Sequence, residues 1–121
     1  MNPAMLSVDE SHPIVSVHAF DNVITFDGGG AYLGMVIASP LDSSERSMAR
    51  LVEKQQFYLD SFFSDYGKNE WGTPREGKMV IFVSLHPSSS PAVFEQFRSF
   101  EEMARRRGVQ VEISMDEISN G

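Results

Sequence analysis

The chain has 121 residues, 41% of them hydrophobic and 11% aromatic, with no cysteine and a formal net charge of -7 at neutral pH. Such a length and apolar content fit one soluble globular domain that buries a core without covalent staples. The lack of cysteine excludes disulfides, thiolate nucleophiles and zinc–thiolate sites, and a pI near 4.8 argues against nucleic acid or an anionic membrane as the main partner.

Residues 1–13, with Asn2, Pro3 and Pro13, read as a polar, mobile arm, and a single domain is expected over 14–115. No basic region followed by an apolar core stands at the N-terminus, and no apolar run approaches a membrane span, so the expectation is a cytoplasmic protein. The stretch IVSVHAF, Ile14 to Phe20, is rich in β-branched residues and reads as a strand. NVITF continues in the same character, DGGG interrupts, and AYLGMVIAS resumes, which predicts a β-hairpin. The pattern leaves open whether Ile14 to Phe26 is one bent strand or two short ones broken at Asp21 and Asn22.

Asp42 with Glu45 three residues on predicts a capped helix start. Met48, Leu51, Val52, Gln55, Leu59, Phe62 and Phe63 then recur at helical spacing, with Tyr58 on the flank, and Gly67 ends the pattern. A long linker holding Trp71 follows. MVIFVSL, Met79 to Leu85, is a nearly continuous apolar run and predicts a central strand. Ser90 and Pro91 open a second helix with a stripe of Val93, Phe97, Phe100 and Ala104, which closes at Arg105 to Arg107 and Gly108. Val109, Val111, Ile113 and Met115 alternate as the inward face of a last strand, and 116–121 form a polar tail.

The order hairpin, helix, strand, helix, strand predicts an α+β two-layer sandwich. Its mixed four-stranded sheet carries both helices on one face, each on a right-handed crossover. The other face then needs a cover: the arm, the Trp71 loop or a second copy of the chain.

The glycine triplet Gly28 to Gly30 lies between two extended runs with no Gly-Lys-Ser/Thr element after it. It reads as a hairpin turn and not as a phosphate loop. The loop after the central strand holds His86, Ser88, Ser89 and Ser90 ahead of a helix N-terminus, a candidate anion site whose plainer alternative is a loop with an N-cap. His12, His18 and His86 are scattered, no His-x-x-x-His or Gly-x-Ser-x-Gly spacing occurs, and no catalytic residue, metal site or cofactor is assigned. On the first helix Phe57 points away from the apolar stripe, among Arg50, Glu53, Asp60 and Ser64. An aromatic ringed by charge on an acidic protein is how a protein-binding anchor looks, and Trp71 in its linker is a second such residue, whose plainer alternative is a cap over the core edge. Phe57, Glu53, Asp60 and Trp71 are therefore the candidate partner-binding set.

LVEKQQFYLDSF, Leu51 to Phe62, resembles the helix of an uncharacterised family of small bacterial α/β proteins with a Leu-x-x-Lys-x-x-x-Tyr-Leu pattern. Leu51, Lys54, Tyr58, Leu59 and Phe62 match, while Val52 and Gln56 stand where that family has Gln and Asn. The order of elements agrees over about residues 23 to 115. The resemblance implies a small bacterial α/β domain and supplies no activity. The reading that results is a non-enzymatic, acidic interaction module: an inhibitor, an immunity-type protein or an assembly partner that meets a basic protein or a second copy of itself. Its alternatives are a small-molecule or anion-binding domain, or a hydrolase of unrecognised type.

Overall fold

The protein is described here by a computed structural model over residues 7–115; the tail 116–121 and the first six residues of the expected arm lie outside that range. Four strands form one sheet in the order β1 (Asn22–Thr25), β2 (Ala31–Ile37), β3 (Met79–Leu85) and β4 (Gln110–Ser114). β1 and β2 are antiparallel, as a short hairpin connection requires, whereas β2–β3 and β3–β4 are parallel and joined through helices. The first crossover carries α1 (Glu45–Ser61) and α2 (Asp65–Trp71), and the second carries α3 (Pro91–Arg106).

Side chains alternate across a strand, so the register settles which residues share a face. Leu33 lies beside Ile81 and Ile81 beside Val111. That face, with Ala31, Met35, Ile37, Met79, Val83 and Leu85, is buried against Leu51 and Leu59 of α1 and Val93, Phe97, Phe100 and Ala104 of α3. The domain is thus a two-layer α+β sandwich with a mixed four-stranded sheet. Burying each large apolar side chain of this core contributes about 1.5–3 kcal/mol.

The hairpin turn has the chemistry its glycines imply. Gly28, Gly29 and Gly30 all have positive φ, at 88°, 114° and 103°. A Cβ on Gly30 would fall 2.3 Å from the Lys78 carbonyl oxygen, so backbone approach forbids any side chain there. Phe26 N–H donates to Gly30 O at 3.1 Å and closes the turn between the strands.

Four expectations about where helices and strands begin and end need correction. First, α1 is capped by Ser44, whose hydroxyl accepts the Ser47 N–H at 3.1 Å; Asp42 instead accepts from Ser44 N–H and Oγ–H, at 3.2 and 2.8 Å. Second, the helical run does not end at Gly67. It breaks at Phe62, and a new cap at Ser64 starts α2, with Gly67 inside it. A Cβ on Gly67 would sit 1.8 Å from the Ser61 carbonyl oxygen, so glycine lets α2 fold back onto the end of α1. Third, Met115 lies beyond β4 and is 50% exposed.

The fourth correction matters most for function: Ile14 to Phe20 is not a strand. The chain parts from β2 at Asp21, where the Tyr58 hydroxyl accepts the Asp21 N–H at 2.9 Å and donates to Gly34 O at 2.7 Å. Burial raises the Tyr58 pKa, which keeps this hydroxyl a donor. Upstream of Asp21 the segment lies on α1. There Arg50 donates to the carbonyls of Ile14 at 2.8 Å and Val15 at 3.0 Å, and Lys54 donates to Ser16 O at 2.7 Å. These charge-assisted bonds satisfy carbonyls that a sheet would otherwise pair.

Part of the expected arm also belongs to this layer, since Val8 bridges to Ser16 and His12 is buried. Both the arm residues described and Trp71 lie on the helix side. The opposite face of the sheet carries Tyr32 and Phe82, stacked at 5.9 Å. No helix among the described residues is long and apolar enough to cross a membrane. Leu51, Lys54, Tyr58, Leu59 and Phe62 are all buried.

Candidate functional site

Along α1, Glu53, Phe57, Asp60 and Ser64 follow one another at intervals of four, three and four residues, with Ser64 just past the helix end, and so line one stripe. This stripe forms one wall of a groove of about 680 Å³; His18, Ala19 and Phe20 form the other, and Tyr66 of α2 also lines it. A groove of that size falls within the range of ligand and side-chain sites.

Its floor is aromatic. Phe57 stacks on Phe20 with ring centroids 4.9 Å apart, and His18 leans on Phe57 at 5.4 Å. Phe57 is therefore half-buried and not the freely outward side chain that helical spacing predicts. Arg50, expected beside it in solvent, is fully buried under the 14–20 segment.

The rim is acidic. His18 Nε2 lies 2.6 Å from Glu53 Oε2. Asp60 Oδ1 accepts from Gln56 Nε2 and from Arg107 Nη1, each at 2.9 Å. Arg107, at the end of α3, also rests its guanidinium 4.3 Å above the Phe63 ring.

Trp71 takes the plainer of its two expected roles, a cap over the core edge. It is only 7% exposed, and it meets Phe20 at 5.4 Å, Phe62 at 5.8 Å and Tyr66 at 5.9 Å, all edge to face. As the last residue of α2 it is held inward by that short helix. It buttresses the groove from behind through Phe20 and is not a surface anchor. The structure thus brings Phe57, Glu53 and Asp60 together and sets Trp71 beneath them. Sequence reasoning missed His18, Phe20 and Tyr66. His18 and Phe20 were hidden by the strand assignment, although their two-residue spacing does put them on one side of an extended chain.

The other candidate cluster is engaged with its own surroundings. His86 Nδ1 accepts the Ser88 N–H at 3.0 Å, and the buried Ser89 hydroxyl accepts the Leu41 N–H at 3.0 Å. Ser90 N–H donates to Leu41 O at 2.8 Å. The loop fastens the chain after β2 to the start of α3. No group of three or more His, Asp or Glu among the described residues is placed to hold a metal ion.

No family model, curated protein or solved structure matches the chain. Fold and groove therefore define the class: a small two-layer α+β domain bearing an acidic groove with an aromatic floor.

Proposed function

We propose that this protein is a cytoplasmic, non-enzymatic interaction module, and that the α1 face around Phe57 receives a basic protein partner. One observation carries the reading: Phe57, Glu53 and Asp60 all line the same groove, which pairs an apolar floor with a negative rim. Interfaces draw their affinity from aromatic anchors in pockets, and complementary charge sets the encounter rate. The net charge of -7 reinforces that steering.

Affinity capture from the native cell tests the proposal, with wild type, Phe57→Ala and Glu53→Gln as baits. The expected result is one partner that wild type retains, that Phe57→Ala loses and that rising salt releases. Loss of a true anchor costs at least about 2 kcal/mol, or roughly thirtyfold in affinity. A partner held equally by all three baits and indifferent to salt would put the interface elsewhere. Trp71→Ala is not informative here, because the ring is core.

A second reading rests on the other side of the sheet. Tyr32, Phe82 and the exposed Ile24 lie on one face by register, and a second copy packed there would form an isologous dimer. Sedimentation equilibrium checks this, and a monomer at micromolar concentration would remove it.

A further inference from the structure

Resting on the interaction reading above, we propose that the groove is specific for an arginine side chain of the partner. The chain already holds one guanidinium in this manner: Arg107 stacks 4.3 Å above Phe63 while hydrogen-bonding to Asp60. A few residues upstream on α1 the same combination of aromatic ring and carboxylate recurs around Phe57, with Glu53 one turn before it and Asp60 about one turn after.

Both carboxylates are oriented by internal donors that use one oxygen each. His18 lies against Oε2 of Glu53. Gln56 and Arg107 both donate to Oδ1 of Asp60. Among the described residues no donor meets the other two oxygens, Oε1 and Oδ2, which can accept from a guest. A guanidinium suits this arrangement better than an ammonium does. It is planar, so it stacks on the Phe57–Phe20 pair, and its fork of donors reaches a carboxylate while the stem lies along apolar surface. Such a guest also neutralises part of the negative rim, and the half-buried floor strengthens that attraction relative to bulk water.

The test is a nitrogen-edited NMR titration of the whole protein with N-acetyl-Gly-Arg-Gly-amide, and with the lysine and citrulline peptides in its place. Saturable shifts are expected at His18 to Phe20, Glu53 to Asp60 and Tyr66 with the arginine peptide, weaker by about tenfold or more with citrulline, which keeps the shape and loses the charge. Glu53→Gln and Phe57→Ala are each expected to weaken the arginine peptide by severalfold or more, and their spectra report whether they remain folded. Equal binding of citrulline, equal binding of lysine, or no shifts at the groove would each overturn the proposal. Capture of a partner dependent on Phe57, together with a silent arginine titration, would leave the interaction reading standing and remove this one alone.

Discussion

Toward the sheet, α1 presents Leu51 and Leu59, with Phe62 just past its end, packed among the apolar residues of β2, β3 and α3. Toward residues 12–21 it presents the buried Ser47, Arg50 and Lys54 and the half-buried Phe57, covered by a segment that has almost no regular structure. Both sides are buried, yet by different means. The first is held by non-directional apolar burial. The second is held by named bonds, in which two cations collect the carbonyls of Ile14, Val15 and Ser16. A buried cation is costly unless its donors are met, so the covering segment and the helix hold one another in place. The groove opens at the edge of that covering segment, between His18 to Phe20 and the Glu53 to Ser64 stripe. The proposed binding surface therefore sits at the seam between the apolar layer and the tethered one.

The comparison breaks most visibly on the sheet side. Leu59→Ala or Phe97→Ala empties a fully buried site and is expected to cost about 2–5 kcal/mol in urea unfolding, with protection from amide exchange lost throughout the sheet. A loss below about half a kcal/mol for both would mean that the helices do not pack as described.

On the other side, Lys54→Met or Arg50→Met removes charge-assisted bonds and leaves carbonyls of the 14–20 segment unpaired, an effect of about 1–3 kcal/mol. Its distribution is the sharper test. Exchange should quicken at the Val17 and Asp21 amides, which bond to Ser7 O and the Tyr58 hydroxyl, while β3 stays protected. Equal loss of protection in β3 would show that the two sides unfold as one unit.

The same contrast explains what the sequence revealed. A continuous apolar run marked β3, helical apolar spacing marked the four-residue stripe of α3, and the glycine triplet marked the hairpin turn. Helical spacing also placed Glu53, Phe57 and Asp60 on one stripe, and so one wall of the groove. The opposite wall left no such mark. Val52 stands at core spacing yet is 45% exposed, whereas Lys54 is 2% exposed. Charged letters on a helix read as a solvent face, and the acceptors that overrule this are backbone carbonyls, which every residue has. For the same reason Ile14 to Phe20, rich in β-branched residues, gave no sign that its carbonyls would be taken by side chains instead of a neighbouring strand.

The polar layer should also respond to pH. His12 Nδ1 accepts the Ile14 N–H at 2.9 Å, which leaves the proton on Nε2, 2.8 Å from Ser47 Oγ. Burial lowers the His12 pKa, and the Arg50 guanidinium lowers it further. The folded pKa thus lies below the unfolded value of 6.5. Stability is then full above that value and falls as pH drops through it toward the folded pKa, because the unfolded chain binds the extra proton. The loss is at most about 1.4 kcal/mol per pH unit for one group. Melting curves from pH 7.5 to 5.5 should show a decline in wild type that is reduced in His12→Gln; the same decline in both would assign it to other groups.

The smallest expected effect tests whether the sheet side is as apolar in its energetics as in its appearance. Gln55 is 1% exposed and lies between α1 and α3, with its Oε1 accepting from Gln96 Nε2 at 2.9 Å. Its own Nε2 finds no acceptor among the described residues. An unmet buried donor costs about 1–3 kcal/mol, while the one hydrogen bond retained is worth about 1 kcal/mol net. Leucine nearly matches the volume and removes the unmet donor. The half-buried Gln96 can then turn its amide toward water. Gln55→Leu is therefore expected to be neutral or to stabilise by up to about 1 kcal/mol, in contrast to Lys54→Met on the other side of the same helix. The difference between two hydrophobic replacements one residue apart isolates what each polar group does. At position 54 the donor is met and its removal weakens the fold; at position 55 one donor is unmet and its removal relieves the core. A loss of more than about 1 kcal/mol for Gln55→Leu in urea unfolding would mean that its Nε2 is satisfied in solution, and that this side of α1 too is held by directional bonds.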